Sequence, residues 1–230
     1  EQLVETAKAV KTKEMGGFFA GNDGGVGVLG NLLIWASGFD QLNDDHTDVA
    51  FMEQAFFDAV AAYRDFYKSG ALLTAASKDW FDASPFTNGE TAMQWGGLWS
   101  LGDISKKWKD DFGVIPFPAI GKSGKQAVPF GAYGSCVAAK GASNDVEAAK
   151  KYAKWLWVDQ TDKQVDFANS YGTHIPSQPD LTDKCSQINN GAGKAAAEMV
   201  DKHGKAASLF WTSKISDADR KSTRLNSSHL

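Results

Sequence analysis

Ser84-Pro-Phe-Thr-Asn-Gly-Glu-Thr-Ala-Met-Gln-Trp-Gly-Gly-Leu-Trp99 is the stretch on which the reading of the fold turns. Asn88-Gly89 is a strong turn dipeptide, because both residues tolerate the left-handed backbone of tight turns. The apolar run Ala92-Met-Gln-Trp95 follows as a short strand, and Gly96-Gly97 is a hinge. Leu98-Trp99 then opens a run to Trp108 that reads as a helix. Together these steps deliver Trp99 to a helix start, where its ring makes a wall for a flat, weakly polar ligand. A Trp that plugs a core is the other reading, since aromatic side chains mostly bury.

Working outward, the chain has 230 residues, 43% hydrophobic and 23% charged, enough for a sizeable core in one or two domains. Eight Trp residues are a surplus that suits sugar recognition, where C–H faces pack on rings, and equally suits a core. A formal charge of −4 and no basic block argue against a nucleic-acid partner. No run approaches the length of a membrane span. Cys136 and Cys185 lack metal-site spacing; they read as two unpaired small hydrophobes, or as a pair if the protein is exported.

Gly16-Gly-Phe-Phe-Ala20 is a strand candidate followed by a glycine-rich loop holding G-x-G-x-x-G at Gly25, Gly27 and Gly30. A dinucleotide fingerprint needs a long helix next and an acid about 20 residues on. Here the run Leu32–Ala36 stops at Ser37-Gly38, and the acids Asp44, Asp45 and Asp48 fall in a polar turn. The segment from Asp48 to Lys68 reads as a helix capped by Asp48, with Val49, Met52, Phe56, Val60, Tyr63 and Tyr67 on its packing face. Ser69-Gly-Ala-Leu-Leu reads as a polar connector. Phe112–Pro118 reads as an edge strand or strand end, since its two prolines exclude a central position. Pro129–Ala139 reads as a strand whose Gly131 and Gly134 allow close approach of a ligand or backbone. Tyr133 between them faces either a cleft or the core.

Two helices with capping boxes follow. One opens at Asn144-Asp-Val-Glu147 and turns Val146, Ala149, Ala153 and Leu156 inward; the other opens at Thr161-Asp-Lys-Gln164 and ends near Tyr171-Gly172. The segment from Ala192 to Phe210 reads as an Ala-rich helix.

The wording of these segments resembles the family-1 extracellular solute-binding proteins of ABC transporters, the maltose-binding-protein-like group. Phe86, Gly89, Ala92 and Met93 match its F-x-x-G-x-x-A-M pattern ahead of a sugar-stacking Trp, here Trp99. Phe112-Gly-Val-Ile-Pro-Phe-Pro118 and the positions Ala148, Ala149, Trp155, Leu156, Gln164, Phe167, Gly172 and Pro176 match further segments, so the likeness runs from about Gly16 to Pro179.

The resemblance implies an α/β chain with the two-lobed periplasmic-binding-protein type II fold, truncated at the N-terminus. It divides the chain into 1–118, mainly the C-terminal lobe; 119–125, a crossover; 126–174, returning to the N-terminal lobe; and 175–219, a crossover with C-terminal-lobe helices. Residues 220–230 read as a non-native or disordered tail. The implied ligand contacts are Trp99, Asn22, Asp23, Gly97, Gly131, Tyr133 and Trp211. The implied role is that of a monomeric, extracytoplasmic binding protein, periplasmic or lipid-anchored. It takes a sugar or oligosaccharide in the interlobe cleft and presents it to the membrane permease, with no cofactor and no metal.

Enzyme motifs are not visible. The four His residues are scattered, no H-E-x-x-H or G-x-S-x-G occurs, and no carboxylate pair is singled out among 28 acids. The rival class is a secreted glycoside hydrolase or its carbohydrate-binding module, which would share the aromatic surplus and add turnover.

Overall fold

Gly16–Ala20 carries two consecutive aromatic residues bounded by glycine, a sequence with too few residues for a helix and enough apolar surface for a buried strand. In the computed structural model, which describes residues 1–23, 25–74, 76–131, 134–138, 145–170 and 173–211, this segment lies between two others and runs parallel to both. Phe18 bridges Leu72 on one side, and Gly16 and Phe19 bridge Thr91 and Gln94 on the other. The ladder is carried by backbone bonds: Phe19 N–H to Met93 C=O and Trp95 N–H to Phe19 C=O at 2.8 Å each, and Leu73 N–H to Phe18 C=O at 2.8 Å. Parallel segments need covered faces and helical crossovers, and the chain supplies them.

The helices in chain order are α1 (Gln2–Val10), α2 (Val26–Ala36), α3 (Gln54–Lys68), α4 (Ser84–Thr87), α5 (Leu101–Trp108), α6 (Val146–Lys154), α7 (Thr161–Ser170) and α8 (Gly191–His203). Strands β1 (Val128–Phe130) and β2 (Gly204–Ala206) pair in parallel. The mixed helix-and-sheet content agrees with the α/β expectation. The chain divides into two compact units. Unit 1 comprises Glu1–Gly96, Ile115–Phe130 and the described residues from Met199; unit 2 comprises Gly97–Val114 and Gly131–Glu198.

Unit 1 is built on α2. Its sequence is apolar on every side, the pattern of a helix surrounded by protein, and Leu29, Leu32, Leu33, Ile34, Trp35 and Ala36 are all buried. Phe51, Phe117 and Ala127 complete that cluster. A second cluster forms under the parallel sheet, where α1 contributes Ala7, α3 contributes Phe66, and the strands contribute Phe18, Ala20, Ala71 and Leu72. Each such buried aliphatic or aromatic side chain stabilises the fold by roughly 1.5–3 kcal/mol.

Among the described residues of unit 2, Ala168, Cys185 and Ile188 form a small cluster, with Val165, Ile175 and Ala197 against it. Asp145 caps α6 by accepting the Ala148 N–H at 2.8 Å. The predicted inward positions Val146, Ala149, Ala153 and Leu156 are the less exposed face of α6 and the π-helical turn Trp155–Asp159, yet none of them is fully buried. Both cysteines are free thiols, Cys136 exposed and Cys185 buried, and burial pushes the Cys185 thiol up.

Several sequence expectations need correction. The helix read from Asp48 begins at Gln54, because Asn43–Asp48 closes on itself: Asp48 N–H donates to Asn43 Oδ1 at 3.0 Å, and Asp48 C=O accepts the Asn43 N–H at 3.0 Å. Val49 and Met52 are therefore exposed, and the packing face of α3 is Phe56, Ala59, Val60, Tyr63 and Phe66. The connector after Gly70 is the sheet segment containing buried Ala71 and Leu72. Gly27 and Gly30 lie inside α2, not in a loop. Gln164 does not close a capping box; its amide donates to Trp157 C=O at 2.9 Å and accepts the Ser177 hydroxyl. The Ala-rich helix stops at His203, and Gly204–Ala206 is strand. The strand read over Pro129–Ala139 is limited to Val128–Phe130 among the described residues. Tyr133, the start of the Asn144 box, the helix end at Tyr171-Gly172 and the 220–230 tail lie outside the described residues.

Candidate functional site

The three parallel segments of unit 1 all end on the same edge, so the chain leaves each of them into loops that converge there. In open α/β sheets this carboxyl edge is where ligands bind, because strand ends and helix starts leave backbone and loop side chains available. After the central segment come Gly21, Asn22 and Asp23; after Leu73 come Lys78–Phe81; after the third segment come Trp95 and Gly96.

The first loop is tightly determined. Gly21 has φ +124°, a backbone favouring glycine. A β-carbon there would stand 3.1 Å from Asp23 Oδ1 and 3.3 Å from both Cβ and N of Trp80. Asn22 N–H donates to Lys78 C=O at 2.9 Å, which staples the first loop to the second. Asp23 Oδ1 accepts the Gly25 N–H at 2.8 Å, immediately before α2. A carboxylate therefore already serves the N-terminus of α2, the position a phosphate would take in a nucleotide site. Behind it, burial pushes the Tyr63 phenol up, and the Asp23 carboxylate adds to that shift.

Trp99 belongs to unit 2, in the short 3-10 turn Leu98–Ser100 that leads into α5. Its six-membered ring lies on the backbone of Gly97: a β-carbon there would come within 2.1 to 2.6 Å of three ring carbons. Trp99 is 47% exposed in that position. The glycine hinge thus has a concrete use, since only the absence of a side chain at Gly97 lets the indole pack this close to the chain.

Of the residues singled out from the sequence, Asn22 and Asp23 stand side by side in unit 1, and Gly97 and Trp99 form a second pair in unit 2. Gly131 is exposed, with open space where a β-carbon would stand. Trp211 packs edge-on to Phe51 at 5.9 Å and against the α2 cluster, with its indole N–H buried and without a hydrogen-bond partner among the described residues. Two further residues at the carboxyl edge escaped the sequence reading. Trp95 follows the third segment, contacts Phe117 edge-on at 5.9 Å, and has a buried indole N–H without a hydrogen-bond partner among the described residues. Trp80 follows the second segment and pairs with Phe81 at 6.1 Å and 85°. The signal for Trp80 was its place a few residues after Ala71-Leu72-Leu73, had that short run been read as a strand.

No group of His, Cys, Asp and Glu suited to a metal occurs among the described residues, and no described helix is long and apolar enough to cross a membrane. No solved structure matches this chain. A family model described as bacterial extracellular solute-binding protein matches residues 1–199. Membership implies a periplasmic-binding-protein fold, an extracytoplasmic location, a small-molecule ligand and ABC permease partners, in a family that is generally non-enzymatic. The chain belongs to the bacterial extracellular solute-binding proteins.

Proposed function

We propose that the solute is a sugar or oligosaccharide and that Trp99 is a platform on which a sugar ring stacks. The carrying observation is the Trp99 indole, packed against Gly97 and 47% exposed. An aromatic side chain fixed by its backbone loses little freedom on binding, and it offers an apolar face to the C–H side of a sugar ring. Asn22 and Asp23 supply the complementary chemistry, an amide that donates and accepts and a carboxylate that accepts, for sugar hydroxyls. Gly131, Tyr133 and Trp211 complete the proposed contact set, and the protein acts as a monomer that carries its sugar to the permease. The lobe assignment read from the sequence, with 1–118 mainly C-terminal lobe and 126–174 N-terminal lobe, belongs to the same proposal.

Calorimetric titration with a panel of neutral mono- and oligosaccharides tests it. Trp99→Ala should weaken the best ligand about thirtyfold, the equivalent of ~2 kcal/mol from a single aromatic anchor. Its melting temperature should stay near that of the parent protein, because the side chain is half exposed. Unchanged affinity, or loss of the fold, would mean that Trp99 only packs.

A further inference from the structure

Around the start of α3, unit 1 leaves apolar side chains on its surface. Met52 is 59% exposed, Phe210 61% and Leu209 98%, and Phe57 is exposed as well. Ring contacts join these positions into one patch. His46 lies 4.8 Å from Phe210, and Phe51 stands between Trp211 at 5.9 Å and Phe56 at 4.9 Å, with Phe57 5.9 Å beyond Phe56. The segment that carries Leu209 and Phe210 is fastened to the body of the unit. Ser208 N–H donates to Oε1 of buried Gln41 at 2.8 Å, and the Gln41 amide donates to Asn31 Oδ1 on α2 at 2.8 Å. Phe210 N–H donates to Ser208 Oγ at 3.2 Å and Trp211 N–H to Ser208 C=O at 2.9 Å, which closes the turn. Leu209 and Phe210 are thus held out on a fixed turn, and a group of apolar side chains held outside the core marks an interaction surface that loses little freedom on docking.

The rim of the patch carries one sign of charge. From Glu14 to Tyr63 the sequence has no Lys or Arg, while Asp45 precedes His46, Glu53 follows Met52 and Asp58 follows Phe57. With Asp44 and Asp48 these acids are all exposed, and among the described residues none of the five is in an ion pair. Lys205, on the strand that leads to the Ser208 turn, is engaged by Asp40 at 2.9 Å. An acidic rim repels a second copy of the same surface, and it repels an anionic membrane. It suits a partner with an apolar centre and cations around it, since interfaces join an apolar core to a polar rim of complementary charge. Family membership implies one macromolecular partner outside the cytoplasm, the ABC permease.

We propose that the patch of Met52, Phe57, Leu209 and Phe210, with its acidic rim, is a docking surface for the ABC permease, and that it receives an extracytoplasmic permease loop whose apolar tip is flanked by Lys or Arg. The apolar side chains supply the buried centre of the contact. The carboxylates speed the encounter and fix its orientation. Docking here is independent of which solute is carried, because none of these residues is among the proposed sugar contacts.

The test is binding of the labelled full chain to the permease that imports its solute, held in nanodiscs, against empty nanodiscs of the same anionic lipid. The parent protein should bind the permease discs, leave the empty discs alone, and lose about tenfold in affinity at high salt. Met52→Lys places a cation at the centre of the patch and should weaken docking at least about tenfold. Leu209→Ser, at a position almost wholly in solvent, should weaken it about threefold. Asp44→Lys combined with Glu53→Lys should cost about tenfold and flatten the salt dependence. All these side chains are exposed, so each variant should melt near the parent temperature. Parent-like docking by Met52→Lys or by the Asp44 and Glu53 double variant overturns the inference. Equal binding to the empty discs overturns it in favour of a lipid surface, and a parent dimer that Met52→Lys dissolves overturns it in favour of a contact between copies. A parent protein that does not bind the permease discs overturns it whatever the sugar titrations show. Docking as expected with no sugar bound leaves this inference standing, and only the sugar reading falls.

Discussion

Units 1 and 2 draw on the same kinds of residue and treat them differently. Unit 1 buries its aromatic and aliphatic side chains in two clusters around α2 and the parallel sheet. In unit 2 the helix α6 buries no residue fully, while Tyr152, Trp155, Trp157 and Val158 are all exposed by more than a third. The amphipathic pattern of α6 is as clear as that of α3, with the half-buried stripe at the spacing of a packing face. The difference is in what each helix packs against. α3 lies on α2 and the sheet segments, whereas among the described residues the stripe of α6 meets only part of a partner surface, including the extended Ser135–Ala138 segment, across a groove of about 430 Å³. Amphipathicity specifies which face a helix will bury; the depth of burial depends on the surface opposite it.

The comparison predicts a graded response to truncation. Phe19→Ala should have the largest effect, about 3–5 kcal/mol of lost stability by denaturant titration, because Phe19 is fully buried in the central strand segment. A cost below about 1 kcal/mol would contradict the reading of the central strand segment as tightly packed core. Gly97→Ala should come next, costing roughly 1–3 kcal/mol or displacing the Trp99 ring, since the added methyl would overlap the indole. A shifted Trp99 ring should also weaken sugar binding by more than the stability change alone accounts for, and unaltered affinity would separate the hinge from the proposed site. Tyr152→Ala should have the smallest effect, within about 0.5 kcal/mol, because Tyr152 is 62% exposed on α6. A large loss there would show that unit 2 is better packed than its exposure indicates.

Much of unit 1 was legible in the sequence because its signals are local. Asn88-Gly89 marked a turn, and Gly89 adopts φ +76°. The apolar runs Gly16–Ala20 and Ala92–Trp95 marked two sheet segments. The third segment was hidden because its bridge to Phe18 is long-range and its run, Ala71-Leu-Leu73, is too short to show a period. The start of α3 is obscured in the sequence for a related reason: Asp48 is an eligible cap, but its backbone is already committed to the Asn43 loop. The candidate site followed the same rule. Trp99 stood out because turn, strand and hinge pointed at it within sixteen residues. Trp80 did not, because its position depends on knowing that Leu72 is in the sheet and that Lys78 is bonded to Asn22.

The central proposal is that the solute is a sugar and that the Asn22–Asp23 loop of unit 1 and the Gly97–Trp99 hinge of unit 2 are each among its contacts. Hydrogen exchange of the protein with and without the neutral sugar that titrates best tests it directly. The account predicts slower exchange on sugar binding in peptides covering Gly21–Asp23 and Gly97–Trp99, with α6 amides unchanged. Saturating sugar that leaves both segments at their free-state rates, or that protects only segments elsewhere, would contradict it.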